Sequence, residues 1–526
     1  MQRGGSPVAT RPSTKAASLL LANVGQAPDR REGRATWQKT PPGNDTPIDE
    51  TPDEAPRRGL AALKLADLPE KAVGFWKLAG PGAVLVGLSI GAGEIIVWPR
   101  IVAQHGSTMI WAAVFGVLAQ LVVNIEVGRY TLATGESAYT GFCRIWKGFA
   151  YVFIALNIAA WLLPGWARAS GGALEALLVG PEGWGDPWVW TTITFAGVAL
   201  LLFGPKMIYN SVERAIMVLI AIVMIGLIAV AIGAGNARAW SDLGLGIINV
   251  GYRDPALPVK EFFIALVFAG AGGTANLFLG FYLRDKNLGM GARIPEVRSV
   301  LRGKVEKEPT TGYTFEDTEE NRARWKAWFT HLKKDQALFF WLMNTVTILL
   351  FIFGALAVLH PRGIVPSKDT LIFDQAVILG EVWGRTGQVI FLLVGVATLL
   401  STQLALVDGC ARSISDIIYV NFPAAQKKTL SWWYAVVAGF WIIAGCVLAY
   451  LLQFLQNITF LFNAGFMGGI AMAIYVPLTL YMNRKFLPKT ARPGWVPSLL
   501  LVGCGVLYGA FAIFSVYDMI ANWGGG

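Results

Sequence analysis

The chain has 526 residues, 54% of them hydrophobic and 15% charged, so too few polar side chains remain to cover a soluble globule and lipid is the implied solvent. Its formal net charge of +10 comes from Lys and Arg placed mostly between apolar windows, which suits an anionic bilayer face and argues against a nucleic-acid binder. Cys143, Cys410, Cys446 and Cys504 form no CxxC pair and no zinc spacing, and read as small core residues.

Residues 1–70 are rich in Pro, Gly, Thr and charge without sustained periodicity, and are expected to form a disordered cytoplasmic tail. One transmembrane domain is then expected over residues 75–520. Apolar windows fall near 82–104, 108–133, 148–166, 188–205, 212–234, 261–283, 336–360, 386–420, 431–454, 457–482 and 496–519, which makes eleven candidate spans, numbered here in chain order. In lipid each amide must find a partner within its own segment, and nothing in these windows alternates as a barrel strand does, so an all-α integral membrane fold is predicted.

The short connections carrying Arg144 and Lys147, Lys427 and Lys428, and Arg484, Lys485, Lys489 and Arg492 all fall on one side. The positive-inside rule makes that side cytoplasmic, in a cell (inner) membrane, with the amino terminus inside and the carboxyl terminus external. The connection 284–335 lies on the same side with twelve Lys or Arg and nine Asp or Glu. It is expected to be a solvated insertion with a short amphipathic helix near Arg322 to Leu332.

Span 1 reads GPGAVLVGLSIGAGEIIVWPRIVAQHG and places Gly91, Ala92 and Gly93 beside Glu94 at its centre. Span 6 reads EFFIALVFAGAGGTANLFLGFYLR, with Gly270, Gly272 and Gly273 central and Thr274 and Asn276 following. Glycine disfavours helix, and a midplane carboxylate is costly without a task. Gly-Ala-Gly at matching places in spans 1 and 6 is the pattern of two five-helix repeats of inverted topology with discontinuous helices. Broken helices bare carbonyls and helix ends that can hold an ion or a polar solute; close helix packing through small residues is the competing reading.

These residues resemble the Nramp family of divalent-metal transporters. The match is carried by Gly80 to Gly82, the eight-residue spacer to the break, His105-Gly106, Trp111, Arg129 to Gly135 (RYTLATG) and Tyr209 to Arg214 (YNSVER), over roughly residues 75–485 without the charged insertion. The resemblance implies a LeuT-like fold and proton-coupled movement of divalent metal. The family's Asp-Pro-Gly-Asn stands here as Gly91, Ala92, Gly93 and Glu94, and its Met-Pro-His-Asn as Gly273, Thr274, Ala275 and Asn276. Its binding carbonyls map onto Leu88 and Gly270. Loss of the thioether with retention of oxygen donors shifts the expected ion toward Mg²⁺ or Mn²⁺, as in the Nramp-related magnesium transporters.

The expected ion shell is therefore Glu94 and Asn276 with the Leu88 and Gly270 carbonyls, framed by Gly91, Gly273 and Thr274, while Asn463 either faces the site from the second repeat or bonds between helices. In span 8, Asp408, Arg412 and Asp416 repeat at i, i+4 and i+8; with Glu126 and Arg129 of span 2 they are either gate and coupling residues or structural pairs. Alternating-access transport of a small divalent cation is the function predicted, with a small organic solute, or a sensor or partner-binding role for 284–335, as alternatives. No nucleophile-base set or phosphate loop is present, so no enzyme and no cofactor are expected, and the partners are the bilayer and a small cation or polar solute.

Overall fold

The computed structural model describes residues 60–71, 73–180, 183–204, 208–295, 309–366 and 370–521. The expected tail up to residue 59, and residues 296–308 of the insertion, lie outside the described residues.

Among the described residues each apolar window is helical over most of its length. Span 2 is Ile110–Thr134, span 4 Pro187–Phe203, span 5 Ile208–Ala234, span 9 Leu430–Leu451, span 10 Asn457–Phe486 and span 11 Trp495–Ala521. Span 3 is helical over Phe149–Trp161 and resumes over Gly165–Leu178, and span 7 runs over 336–359. Span 8 is Trp383–Asn421; a helical segment over 371–382 leads into it and turns sharply at Trp383 and at Gly384, whose φ of 56° is left-handed. Small residues set the crossings. A Cβ on Gly409 of span 8 would lie 2.1 Å from the Phe278 ring of span 6, and one on Gly273 would lie 2.7 Å from the Gly468 backbone of span 10.

Both expected interruptions are present, and they differ in kind. Span 1 is α-helical over Pro81–Ser89 and Trp98–His105, but over Ile90–Val97 it widens to i→i+5 winding, with Gly91 out of the helical region at φ −59° and ψ −106°. It is bent and widened without a full unwinding. Span 6 is broken outright. Helix Val259–Val267 ends, residues 268–272 are not helical, and a tight turn at Gly273–Phe278 leads into helix Leu279–Asp285. Gly272 and Gly273 take φ of 70° and 51°, which side chains rarely adopt, and this is why the break sits there.

The carboxyl-terminal part of the insertion is packed where a solvated segment is expected. Strand β1 (Lys64–Leu65) pairs in parallel with β2 (Tyr313–Thr314), so residues 60–70 also belong to the folded body and not to the tail. The Leu68 amide donates to Asn321 Oδ1 at 3.0 Å, and the Trp328 indole donates to the Pro69 carbonyl at 2.7 Å. The helix is Glu319–Asp335, longer than the expected 322–332. Its Trp325, Trp328 and Leu332 share one buried stripe, and the Arg129 guanidinium of span 2 sits 4.1 Å over the Phe329 ring. At its end the Asp335 carboxylate accepts from the amides of Gly80 and Gly82, at 3.1 and 2.8 Å, and so caps the start of span 1.

Candidate functional site

The two interruptions touch. A Cβ on Gly93 would stand 1.7 Å from the Phe268 carbonyl oxygen, so only glycine lets the bend of span 1 meet the break of span 6. Beside this contact lies a small cavity with room for about one water. Leu88, Ser89 and Gly93 line it from span 1, and Phe268 and Gly270 from span 6. Its other walls are Trp161 and Trp166 of span 3 with Thr402 and Leu406 of span 8.

Polar groups around the cavity are mostly committed. The Ser401 and Thr402 hydroxyls donate to the Gly87 carbonyl, at 3.1 and 3.2 Å, so span 8 satisfies backbone that the bend in span 1 leaves free. The Trp161 indole donates to Thr274 Oγ1 at 2.7 Å, and that hydroxyl donates to Asn157 Oδ1 at 2.8 Å. Trp166 stands 5.6 Å from Trp161 and 6.0 Å from Phe268 by ring centres, and its buried indole N–H has no partner.

Glu94, one residue beyond Gly93, does not line this cavity. It is fully buried beside Thr347 of span 7. That hydroxyl donates to the Met343 and Asn344 carbonyls, both at 3.0 Å, and neither Glu94 oxygen has a hydrogen-bond partner. Two further buried acceptors, on side chains that bond to the backbone of spans 6 and 1, are also unpartnered. Asn344 donates to the Ala269 carbonyl at 3.4 Å and Gln375 to the Ile95 carbonyl at 2.6 Å, which leaves Asn344 Oδ1 and Gln375 Oε1 without donors. Buried oxygens lacking donors are what a cation can satisfy. Among the described residues no three His, Cys, Asp or Glu gather as a metal cluster.

The expected shell is thus divided. Leu88 and Gly270 share the cavity, Glu94 faces span 7, and Asn276 faces spans 2 and 10, where its amide donates to Gln120 Oε1 and to Tyr475 Oη, both at 3.2 Å. Gly91 is pressed against Thr402, Gly273 against Gly468, and Thr274 is held by Trp161 and Asn157. Asn463 donates to the Ala159 carbonyl at 2.9 Å, which makes it a tie between spans 10 and 3. Gln120 is the residue that sequence reasoning misses. Its Oε1 accepts from the Gly272 amide at 2.9 Å and its Nε2 donates to the Val267 carbonyl at 2.8 Å, so it bridges the break in span 6, helped by Tyr475, which donates to the Gly273 carbonyl at 2.9 Å.

The charged residues join different helices. Arg412 pairs with Asp408 one turn back at 2.9 Å and also with Asp285 at the end of span 6, while Arg284 pairs with Asp416 at 3.0 Å. Asp416 also accepts from Ser137 and Thr140, at 2.6 and 2.9 Å, and Asp408 from Tyr434 at 2.8 Å. Glu126 and Arg129 form a two-pronged pair at 2.8 and 2.9 Å, and Arg129 donates onward to the Ala491 carbonyl at 3.0 Å. Arg284 and Asp285 extend the expected ladder into a crossed pairing of spans 6 and 8.

No protein family matches the chain and no curated protein does. Among solved structures it is similar to a mutant of a manganese transporter from Eremococcus coleocola, at a TM-score of 0.61 and 15% identity over 88% of this chain and 91% of that one. The same transporter in complex with an aromatic bis-isothiourea substituted compound gives a TM-score of 0.62 at 15% identity, over 89% and 92%. At this identity the likeness establishes the fold. It is a predominantly helical, multi-pass, LeuT-like fold with inverted repeats, its sixth helix broken and its first bent at Gly91.

Proposed function

We propose that the chain is a secondary transporter working by alternating access, and that it carries a small hard divalent cation, Mg²⁺ or Mn²⁺, past Glu94. The carrying observation is the buried Glu94 carboxylate at the bend of span 1, with no hydrogen-bond partner on either oxygen. An isolated buried charge costs several kcal/mol, and an oxygen-seeking cation offsets that cost. Asn344 Oδ1 and Gln375 Oε1, on side chains whose amides donate to the Ala269 and Ile95 carbonyls of the two interrupted spans, are the neutral oxygens of this reading, and oxygen donors favour a hard ion.

In this reading the crossed pairs of Arg284, Asp285, Asp408, Arg412 and Asp416, together with Glu126 and Arg129, form the closed gate on the side of the basic connections, which we assign to the cytoplasm. Opening to that side requires spans 6 and 8 to separate there. The test is calorimetric titration of the purified protein with Mg²⁺, Mn²⁺, Ca²⁺ and Zn²⁺, with Mn²⁺ uptake into proteoliposomes alongside. The expected result is binding of Mn²⁺ or Mg²⁺ that weakens at least about tenfold in Glu94→Gln. Binding and uptake indifferent to that change would overturn the reading.

A further inference from the structure

Residues 64–69 are held by the charged insertion as a bound peptide is held, although they belong to the same chain. The Lys64 and Ala66 amides donate to the Gly312 and Thr314 carbonyls, at 3.0 and 2.8 Å, and the Leu68 amide donates to Asn321 Oδ1 at 3.0 Å. The Leu68 and Pro69 carbonyls accept from the Arg324 guanidinium and the Trp328 indole, at 2.8 and 2.7 Å. All these partners lie within the insertion. Leu68 is 0% exposed, whereas Lys64, Leu65 and Asp67 beside it are exposed. Main-chain bonds along a strand edge, with one side chain buried as an anchor, are the means by which a folded surface takes an extended peptide.

The gripped peptide leads directly into span 1. Phe75 stands 5.0 Å from His331 by ring centres, and Asp335 caps Gly80 and Gly82, so the approach to span 1 follows helix Glu319–Asp335 to its end. That helix is braced on span 2, where Leu332 packs against Gly128 and Phe329 lies under Arg129, and it continues into span 7. Arg293, beyond span 6, donates to the Asp67 carbonyl at 2.8 Å, so the same peptide also ties the exit of span 6. The entry to span 1 and the exit of span 6 are thus fastened to spans 2 and 7 through a few residues, apart from the crossed pairs that join spans 6 and 8. We propose that the insertion over 309–328 is a peptide-binding groove, and that its occupation by residues 64–69 is a brake on opening toward the side of the basic connections. While the peptide is seated, the inner half of span 1 cannot swing out from its bend; once it leaves, that side opens more readily. This rests on the alternating-access reading and adds a control to it. With one buried leucine and an exposed edge, the grip is releasable while the spans stay folded.

The test uses the full chain with its four native cysteines replaced and Ser89→Cys as reporter in the cavity. In proteoliposomes it is labelled with an impermeant thiol reagent from the face of the basic connections. Leu68→Asp puts a charge into a fully buried seat, and labelling should quicken at least about tenfold, the worth of unseating one leucine. Asn321→Ala, which removes the bonds to Leu68 and Asp67 and spares the apolar packing, should act in the same direction, while Leu68→Met should label as the parent does. The groove itself is read by calorimetry with a synthetic peptide of residues 60–70, LAALKLADLPE. The Leu68→Asp chain should bind this peptide at least about tenfold more tightly than the parent, whose groove is already filled. The same peptide carrying Leu68→Asp should not bind. The inference is overturned if neither Leu68→Asp nor Asn321→Ala quickens labelling, if Leu68→Met quickens it as much as Leu68→Asp, or if the vacated groove takes no peptide. Labelling from this face that both variants leave unchanged sinks the brake and spares the transporter reading. No labelling from this face in any of these chains, with the peptide bound as expected, would sink the transporter reading and the brake with it.

Discussion

Gly93→Ala is the sharpest perturbation of the junction between spans 1 and 6. The added Cβ would stand 1.7 Å from the Phe268 carbonyl oxygen, 2.7 Å from its carbon and 2.9 Å from its Cβ, whereas ordinary contact begins near 3.4 Å. The two segments must therefore part by about 1.7 Å, the difference between 3.4 and 1.7 Å, and two of the obstructing atoms are backbone. Overpacking in a filled interior costs typically about 1–3 kcal/mol, and a backbone obstacle that cannot change rotamer puts this case at about 3 kcal/mol or above. Gly197→Ala in span 4 is the control, because nothing lies within 4 Å of its added Cβ and alanine favours helix by up to about 1 kcal/mol. Thermal unfolding in detergent and Mn²⁺ titration are the assays. Gly197→Ala should match or exceed wild type, while Gly93→Ala should unfold earlier and bind Mn²⁺ roughly a hundredfold more weakly. A Gly93→Ala protein with wild-type stability and affinity would refute the claim that the interruptions meet at this atom pair.

Asp335→Ala removes two hydrogen bonds from the Gly80 and Gly82 amides to a carboxylate, a loss of about 1.5–3 kcal/mol that hydrogen exchange should read as faster opening at the start of span 1. Arg412→Ala removes the cation that Asp285 and Asp408 share and should cost about 3–5 kcal/mol in thermal unfolding, whereas changing Arg412, Asp285 and Asp408 together to Met, Leu and Leu should recover most of it. In the connection before span 6, the Asp254 carboxyl is held below its usual range by the Ala256 amide and by His105. A depressed pKa contributes stability that is present above the ordinary carboxylate value, about 3.9, and is lost as the pH falls through the folded value. Asp254→Asn should therefore flatten the acid limb of the stability profile below about pH 4 and leave the neutral region nearly unchanged.

The Gly-rich centres of spans 1 and 6 announce their own interruption, because in lipid no other residue combines weak helix propensity with left-handed freedom. The direction in which each side chain leaves the break is not written so plainly. Gly93 faces Phe268, and the next residue points about a quarter-turn further round the widened helix, which carries Glu94 away from Leu88 and Gly270 toward Thr347. Gln120 is visible in the sequence as a lone amide in an apolar span, a signal of interhelical bonding that does not say which backbone it bridges. The i, i+4, i+8 spacing of Asp408, Arg412 and Asp416 is legible, yet their partners Arg284 and Asp285 are more than a hundred positions away and are joined to them by tertiary packing alone. The helical character of 322–332 is likewise readable, but its docking on span 2 depends on Trp325, Trp328 and Leu332 finding a face that periodicity cannot name.

The central claim, that a passenger occupies the junction of spans 1 and 6 and is exposed to each side in turn, is tested most directly by a single cysteine at Ser89, which lines the cavity, in a chain whose four native cysteines are replaced by Ser or Ala. Ser89→Cys in oriented proteoliposomes is treated with a membrane-impermeant thiol reagent applied to one face at a time, with and without Mn²⁺. Labelling from both faces, slowed by Mn²⁺, is the outcome the account predicts. Labelling from one face only, or at a rate that Mn²⁺ leaves untouched, would contradict it.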